Sequence, residues 1–478
     1  RPDFPPADAN TRRRLPSRAD IFILAIRLEE VQRAFVHSFG CRASQADGAA
    51  IEASLKESGF GLAPDIASAE LVVLNTCTVT READADARSM VRAVHRERPE
   101  AKILVTGCYA QRAPEELAAL EGVQWVVGNS HKTQIAEIVA ERSEAYHSQV
   151  LVSEIAGQRE FLAAPVRDSA EERTRPNLKV QDGCGNRCAF CIIPSVRGRS
   201  RSAPLASILE QMRDLASRYA EVVLSGINLG RWGRDFSPQL RFLDLLRAIL
   251  RETPIQRLRI SSVEPMDWSE ELFSLVSSEP RIARHVHIPL QSGSDAVLKR
   301  MFRKYRTRHY ASRIELAHRL MPQAAIGADV MTGFPGETEA EFAETVNFIE
   351  QHPFTYLHVF TYSERPGTQA AERGDQVPMH VRRERTRVLR QLSERKNLEF
   401  RGRMVGKTLS AVTLDRGRTA LSTNFLRIEM TEQREGNRIV DLRIGGLGQT
   451  GLRERELLPI LTAAPAASQS LARDFARS

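Results

Sequence analysis

The sequence predicts an α/β protein in three parts: an amino-terminal parallel-sheet α/β domain, a central partial (β/α)6 barrel and a small carboxy-terminal β-barrel. Three observations predict it. From about residue 31, apolar strand-like runs alternate with helical stretches, the pattern of a parallel sheet covered on both faces. A second series of strand-like runs recurs every 28–43 residues from residue 178, the spacing that βα units need. From Val405 the texture changes to short alternating runs punctuated by Gly406, Gly417, Gly436 and Gly445, as a small antiparallel barrel requires.

Taken in order, residues 1–30 are Pro- and Arg-rich and then briefly apolar, and read as a poorly ordered extension. The first domain, 31–150, has strands at 31–40, 71–76, 102–107 and 123–128, with helices at 49–58, 83–98 and 114–120. Residues 151–173 carry mixed charge and little periodicity, as a linker does. The second domain, 174–403, has strands at 178–181, 221–225, 257–262, 285–290, 326–332 and 357–362. It ends in a basic helix over 375–403, whose Arg382, Arg383, Arg385, Arg387, Arg390, Arg395 and Lys396 read either as a solvated face or as an RNA-facing one. Strands at 408–414, 426–431 and 438–444 build the third domain, 404–460, and the Ala/Ser-rich tail 461–478 frays.

Composition sets the class. The chain has 478 residues, of which 42% are hydrophobic and 27% charged, and fits a globular rather than a disordered or fibrous protein. No apolar run has the length of a membrane span, and a cytoplasmic location is expected. A net charge of +8 makes an acidic polymer a plausible partner.

The six cysteines fall into two triads: Cys41, Cys77 and Cys108, then Cys184, Cys188 and Cys191. Disulfides suit neither the length of the chain nor the absence of an evident signal peptide. Structural zinc wants four ligands in two short pairs, and the compact triad has no second pair. Three thiolates do suit three corners of a cubane iron–sulfur cluster with one iron left open. Each cysteine of the dispersed triad follows a predicted parallel strand, where ligands gather from distant sequence positions. The plainer reading of these three, as buried apolar residues in loops, stands beside it. The pattern points to two metal clusters.

The chain resembles the radical S-adenosylmethionine (SAM) methylthiotransferases from about residue 31 to 455. The matching stretches include Phe39-Gly-Cys-Arg42, Asn75-Thr-Cys-Thr-Val-Thr80, Val105-Thr-Gly-Cys-Tyr-Ala-Gln111 and the Cys-x3-Cys-x2-Cys run with Phe190 before its last cysteine. They continue with His287-Ile-Pro-Leu-Gln-Ser-Gly-Ser294, Gly333-Phe-Pro-Gly-Glu-Thr338 and Tyr362-Ser-Glu-Arg-Pro-Gly-Thr368. The resemblance implies a radical SAM barrel and a TRAM-like RNA-binding β-barrel. It also implies two 4Fe–4S clusters. Cys184, Cys188 and Cys191 would hold the SAM-cleaving one, and Cys41, Cys77 and Cys108 an auxiliary one that carries the sulfur to be transferred. SAM would serve as methyl donor and as radical source.

Branches of the family modify threonylcarbamoyladenosine in tRNA, isopentenyladenosine in tRNA, or an aspartate of a ribosomal protein. Gly40-Cys-Arg-Ala-Ser-Gln45 is nearest the threonylcarbamoyladenosine branch, although Ser44 stands where Asn is usual and Asp47 where Glu is usual. Implied partners are the tRNA anticodon loop, an electron donor such as flavodoxin or ferredoxin, and a sulfur source. An iron–sulfur RNA-binding protein without catalysis is the non-enzymatic alternative. SAM contacts are expected at barrel strand ends: Gly226 and Asn228 after the second strand, Glu264 after the third, Gln291 after the fourth and Gly333 after the fifth. Each is also readable as an ordinary turn or surface residue. Arg197, Arg199 and Arg201 are candidate contacts to tRNA phosphates, and His285 and His287 read as core or supporting groups.

Overall fold

A computed structural model describes residues 32–141, 148–158, 161, 174–414 and 417–456. The expected extension, the tail and most of the linker lie outside the described residues.

Six parallel strands make the first sheet, in the order β2-β1-β3-β4-β5-β6. They are β1 (Arg33–Ser38), β2 (Gly61–Leu62), β3 (Leu71–Thr76), β4 (Lys102–Gly107), β5 (Val123–Gly128) and β6 (Gln149–Leu151). Helices α1 (Arg42–Glu57), α2 (Arg81–Glu97), α3 (Cys108–Arg112), α4 (Pro114–Ala118) and α5 (Ile135–Ala140) cover both faces. Strand alternation divides the core. Leu71 and Val73 of β3 meet Ile51, Leu55 and Val139 of α1 and α5. Val72 and Leu74 meet Ala87, Val91 and Val94 of α2. A strand buried on both faces reads as a continuous apolar run, which is why β3 was legible. Helix α1 starts seven residues before the expected position, directly after Cys41. Ser44 and Asp47 hid its first turns, because these polar residues are buried. The short strands β2 and β6 carried no pattern long enough to read.

The central unit holds six parallel strands in sequence order. A four-stranded sheet, β10-β9-β7-β8, contains β7 (Asn177–Asp182), β9 (Glu221–Gly226) and β10 (Arg257–Ile260), with the two-residue β8 (Arg201–Ser202) antiparallel at its edge. A three-stranded sheet continues with β11 (His285–His287), β12 (Ala325–Thr332) and β13 (Tyr356–Thr361). One isolated bridge, Leu258 to Ile282, spans the break, so the barrel is partial and open. Helices α6 (Ile193–Arg197), α7 (Leu205–Arg218), α8 (Phe242–Glu252), α9 (Glu270–Ser278), α10 (Asp295–Arg300), α11 (Thr307–Leu320), α12 (Glu339–Gln351) and α13 (Met379–Gly402) accompany the strands. The main core runs through this unit, from Val180, Val222 and Leu258 on the strands to Ile208, Leu246 and Ile314 on the helices.

A closed five-stranded barrel follows, in the order β14-β15-β16-β18-β17. Its strands are β14 (Thr408–Leu414), β15 (Thr419–Ser422), β16 (Arg427–Glu429), β17 (Ile439–Leu447) and β18 (Leu452–Glu454). It docks at the amino-terminal ends of the central strands. Arg259 donates to the carbonyls of Ser422 and Thr423 at 3.0 and 3.1 Å, and Arg257 donates to Ser410 Oγ at 2.7 Å. Among the described residues no helix is long and apolar enough to cross a membrane.

Candidate active site

The dispersed triad is gathered by strand register. β1, β3 and β4 are adjacent, Ser38 pairs with Asn75, and Thr76 pairs with Gly107. Cys77 and Cys108 follow their strands directly, and Cys41 lies two residues beyond Phe39 in the neighbouring loop. Gly40 has φ 85°, and a Cβ there would sit 2.7 Å from Cys77 Sγ, so the first two ligand loops touch. Cys77 and Cys108 are buried while Cys41 is exposed. Burial pushes the Cys77 thiol up to about 12, and the nearby Cys108 and Cys41 thiols add to the shift. Three sulfurs that feel one another, none in a disulfide, are a donor set that fits a soft metal cluster. Asn129, at the end of β5, donates to Cys108 Sγ at 3.6 Å and to the Val196 carbonyl at 2.7 Å.

The compact triad follows β7. Asn186 N and Asn228 Nδ2 each donate to Cys184 Sγ at 3.4 Å, and Arg303 Nη1 donates to Cys188 Sγ at 3.2 Å. Hydrogen bonds to the sulfurs are how a protein tunes such a cluster. Burial raises the Cys188 thiol against the pull of Arg303, and burial pushes Cys191 up to about 12. The two triads are neighbours. Cys108 packs on Ile192 and Val196, and Ile192 adjoins Cys191 in sequence. This contact brings the two triads to one junction.

The expected SAM residues divide into three kinds. Asn228 is positioned by its N–H, which donates to Gln181 Oε1 at 2.6 Å, while its own Oδ1 is buried without a hydrogen-bond partner. An orphaned acceptor beside Cys184 fits the amino group of a ligand held there. Gly226 ends β9, and a Cβ on it would press on Gln181 at 3.1 Å. Glu264 is paired with Arg303, so an acid, a guanidinium and Cys188 form one chain beside Met266 and Phe302. Gln291 and Gly333 serve the backbone. Gln291 has φ 66° and bridges to β12 through Asp329 O at 2.8 Å and Met331 N at 2.9 Å. At Gly333 a Cβ would meet Arg382 Cγ at 2.3 Å, and its N–H donates to Glu337 Oε2 at 2.7 Å. Glycine there makes room for α13.

The structure corrects the reading of the arginines. Arg197 and Arg201 are buried, and only Arg199 of the three is exposed. Arg197 donates to Asp182 Oδ1 at 2.9 Å, Asp47 Oδ2 at 3.0 Å and Ser44 Oγ at 3.2 Å. Asp47 also takes Lys132 at 3.1 Å and Lys179. Burial alone would raise the Asp47 carboxyl, but Lys132, Lys179 and Arg197 outweigh it and hold it well below the usual range. These charges join α1 to β7 and α6. A second latch joins Asp84 of α2 to Arg112 at 3.1 Å and to Arg365 beyond β13. Likewise Arg382 and Arg385 of the basic helix are buried and bind Glu364 and Glu337 at 3.2 and 2.8 Å. Arg383 and Arg390 are left on the surface. Lys132 and Lys179 gave no signal in the sequence, because they reach Asp47 from 85 and 132 residues away.

Comparison with known proteins agrees with this architecture. Uncharacterized protein family UPF0004 matches residues 33–128, and the Radical SAM superfamily matches residues 178–349. Threonylcarbamoyladenosine tRNA methylthiotransferase MtaB of Aquifex aeolicus (strain VF5) is 36% identical over 412 residues, 85% of this chain and 98% of that relative. Its namesake in Bacillus subtilis (strain 168) is 38% identical over 378 residues, 79% and 83% of the two chains. A tRNA-2-methylthio-N(6)-dimethylallyladenosine synthase of Acidothermus cellulolyticus (strain ATCC 43068 / DSM 8971 / 11B) is 34% identical, covering 85% and 82%. The radical S-adenosylmethionine methyltransferase TsrM of Kitasatospora setae, solved with tryptophan and a SAM analogue, superposes with a TM-score of 0.55 at 16% identity, over 72% of this chain and 75% of that one. The fold is shared at that distance.

Proposed function

The chain belongs to the radical SAM methylthiotransferases, and on that footing we propose that it converts N6-threonylcarbamoyladenosine next to the anticodon of tRNA (position 37) to its 2-methylthio derivative. One observation carries this reading: two cysteine triads, packed against each other through Cys108 and Ile192, in a chain similar to such enzymes over nearly their whole length. Dimethylallyladenosine remains the alternative substrate, favoured by the relatives that act on it.

SAM and one 4Fe–4S cluster follow from the superfamily. In our reading Cys184, Cys188 and Cys191 hold that cluster, and Cys41, Cys77 and Cys108 hold a second. Bound together, these groups supply one-electron chemistry, the sulfur atom and the methyl group. The chain supplies position and exclusion of water. Asn228 offers its free carbonyl oxygen to the SAM amino group, with Gly226 allowing close approach. Glu264 holds Arg303 on Cys188 and lines the adjoining cleft, open to the ribose hydroxyls. Gln291 and Gly333, after the fourth and fifth central strands, complete the proposed SAM contacts. The Arg197–Asp47 network fixes the distance between the triads, as a transfer between two bound groups requires.

The remaining assignments extend the reading. The proposed division into a cluster domain 31–150, a radical SAM domain 174–403 and a TRAM-like RNA-binding domain 404–460 is supported by the separate sheets of the three parts, and the extension 1–30 lies outside the described residues. Arg199, Arg383 and Arg390 are exposed cations suited to tRNA phosphates. A flavodoxin or ferredoxin as electron donor, a separate sulfur source and a cytoplasmic site of action complete the proposal. Mass spectrometry of tRNA nucleosides from cells lacking this gene tests it. The 2-methylthio-threonylcarbamoyl nucleoside should vanish, and its persistence without a paralogue would sink the substrate assignment.

A further inference from the structure

We propose that Arg42 recognises the carboxylate of the threonylcarbamoyl group and thereby selects this adenosine over one with an apolar N6 substituent. The inference rests on the substrate reading above.

Arg42 is the residue after Cys41 and the first of α1. That helix packs on β7 and β9 of the barrel. The groups acting on its guanidinium are Arg175, Arg259, Tyr356 and Glu221, from the start of β7 through β9 and β10 to β13. Among the described residues no hydrogen bond or ion pair is made by Arg42. Arg197, Arg259, Arg303, Arg365, Arg382 and Arg385 all hold carboxylates, whereas among the described residues Arg257 of the same wall shares the lack of an ion pair and bonds only Ser410 Oγ.

The anions already present are spoken for. Glu221 receives Arg259 through two bonds of 2.8 and 3.1 Å and Arg175 at 3.2 Å. Asp329 lies against His287 and His358 at 3.4 and 3.3 Å. That His–Asp–His group has the spacing of a cation site. The site beside it disfavours positive charge: burial first, and then Arg259, His287 and Arg42, lower the proton affinity of His285. An incoming anion is what this wall lacks. Aromatic faces adjoin it: Phe425 stacks on His285 at 4.4 Å, and Tyr356 donates or accepts at His285 Nε2 at 2.7 Å.

The threonylcarbamoyl group ends in an amino-acid carboxylate, ionised at neutral pH, whereas a dimethylallyl group has no polar atom. A guanidinium binds a carboxylate through two parallel hydrogen bonds, and a site built for that pairing penalises a ligand lacking it.

The test uses reconstituted holoenzyme and an anticodon stem–loop carrying threonylcarbamoyladenosine, its methyl ester, or dimethylallyladenosine. Wild-type enzyme should favour the acid over the ester by about 30-fold or more in kcat/KM and in Kd, the scale for removing one partner of a hydrogen-bonded charge pair. In Arg42→Gln that ratio should fall close to one, and Arg42→Lys should keep part of it. Iron content, measured in parallel, separates lost recognition from a lost cluster. The Kd ratio is read even if a variant is inactive. Wild-type enzyme that treats acid and ester alike, or an Arg42→Gln variant that keeps the wild-type ratio, overturns the role of Arg42 and leaves the function standing. Wild-type enzyme active only on the dimethylallyl stem–loop overturns the function itself.

Discussion

Arg197 Nη2 donates to Asp47 Oδ2 at 3.0 Å, and this bond ties the helix after Cys191 to the helix after Cys41. Both side chains are 2% exposed, so the pair is shielded from salt and solvent. Asp47→Ala would strand Arg197, Lys132 and Lys179 as buried cations without their shared carboxylate. We expect a loss of about 3–5 kcal/mol in the denaturant midpoint analysis, the range for breaking a buried pair from one side. A loss under about 1 kcal/mol, the value of surface pairs, would mean the junction is wet.

Acid should open the same junction. Burial raises the Asp182 carboxyl, but Arg197 and Lys179 outweigh it and hold it below the usual range, as happens at Asp47. A carboxyl depressed in the folded state stabilises fully above its unfolded value of about 3.9 and loses that contribution as pH falls through the folded value. The junction should therefore be insensitive to pH from about 5 upward and weaken only below about 4. Fluorescence of a dye placed at the junction, followed during acid titration, reports it. Loosening already near pH 6 would contradict the assignment.

Iron content tests the triads separately. Reconstituted wild type should hold about eight irons per chain, and removal of either triad should leave about four. A plateau of four in the wild type would remove the second cluster and the methylthio transfer with it.

Asn228→Ala should weaken SAM binding about 10-fold, the value of one hydrogen bond to a charged group. The variant keeps the backbone bond to Gln181 Oε1, so folding should be unchanged. Equal SAM affinity in calorimetry would assign the free Oδ1 to something else.

On the basic helix, Arg383→Ala and Arg390→Ala should each lower tRNA affinity and flatten its salt dependence by up to about one unit of slope. Arg385→Ala should instead destabilise the fold, since Arg385 is buried on Glu337 at 2.8 Å. Gel-shift titrations over a salt series distinguish the two effects.

These contrasts mark what could be read from the chain. The triads, the strands β3, β4 and β12 and the glycine-marked final barrel were legible because their signals are local: a spacing, an apolar run, a change of period. Arg197 was read as a candidate RNA contact and Arg382 as part of a solvated or RNA-facing face, because a charged side chain looks the same in sequence whether it meets water or a carboxylate 150 residues away. Helix α1 began early for the same reason: Ser44 and Asp47 are buried against another part of the chain. The cysteine ligands are visible to the eye, and the charges that bring them together are not.

The bond from Arg365 to Asp84 spans 281 residues. During synthesis the amino-terminal sheet is complete long before its latch exists, by roughly 10–45 s at ordinary ribosome speeds. Throughout that interval Cys77 and Cys108 sit on a finished sheet with no barrel over them, open to whatever delivers iron and sulfide. Ribosome-bound chains stopped short of residue 365 should accept iron at the first triad faster than released, apo full-length protein does; equal rates would show that the latch guards nothing. Cofactor loading would then have an order set by translation, first triad before second, written into the chain by where its last clasp lies.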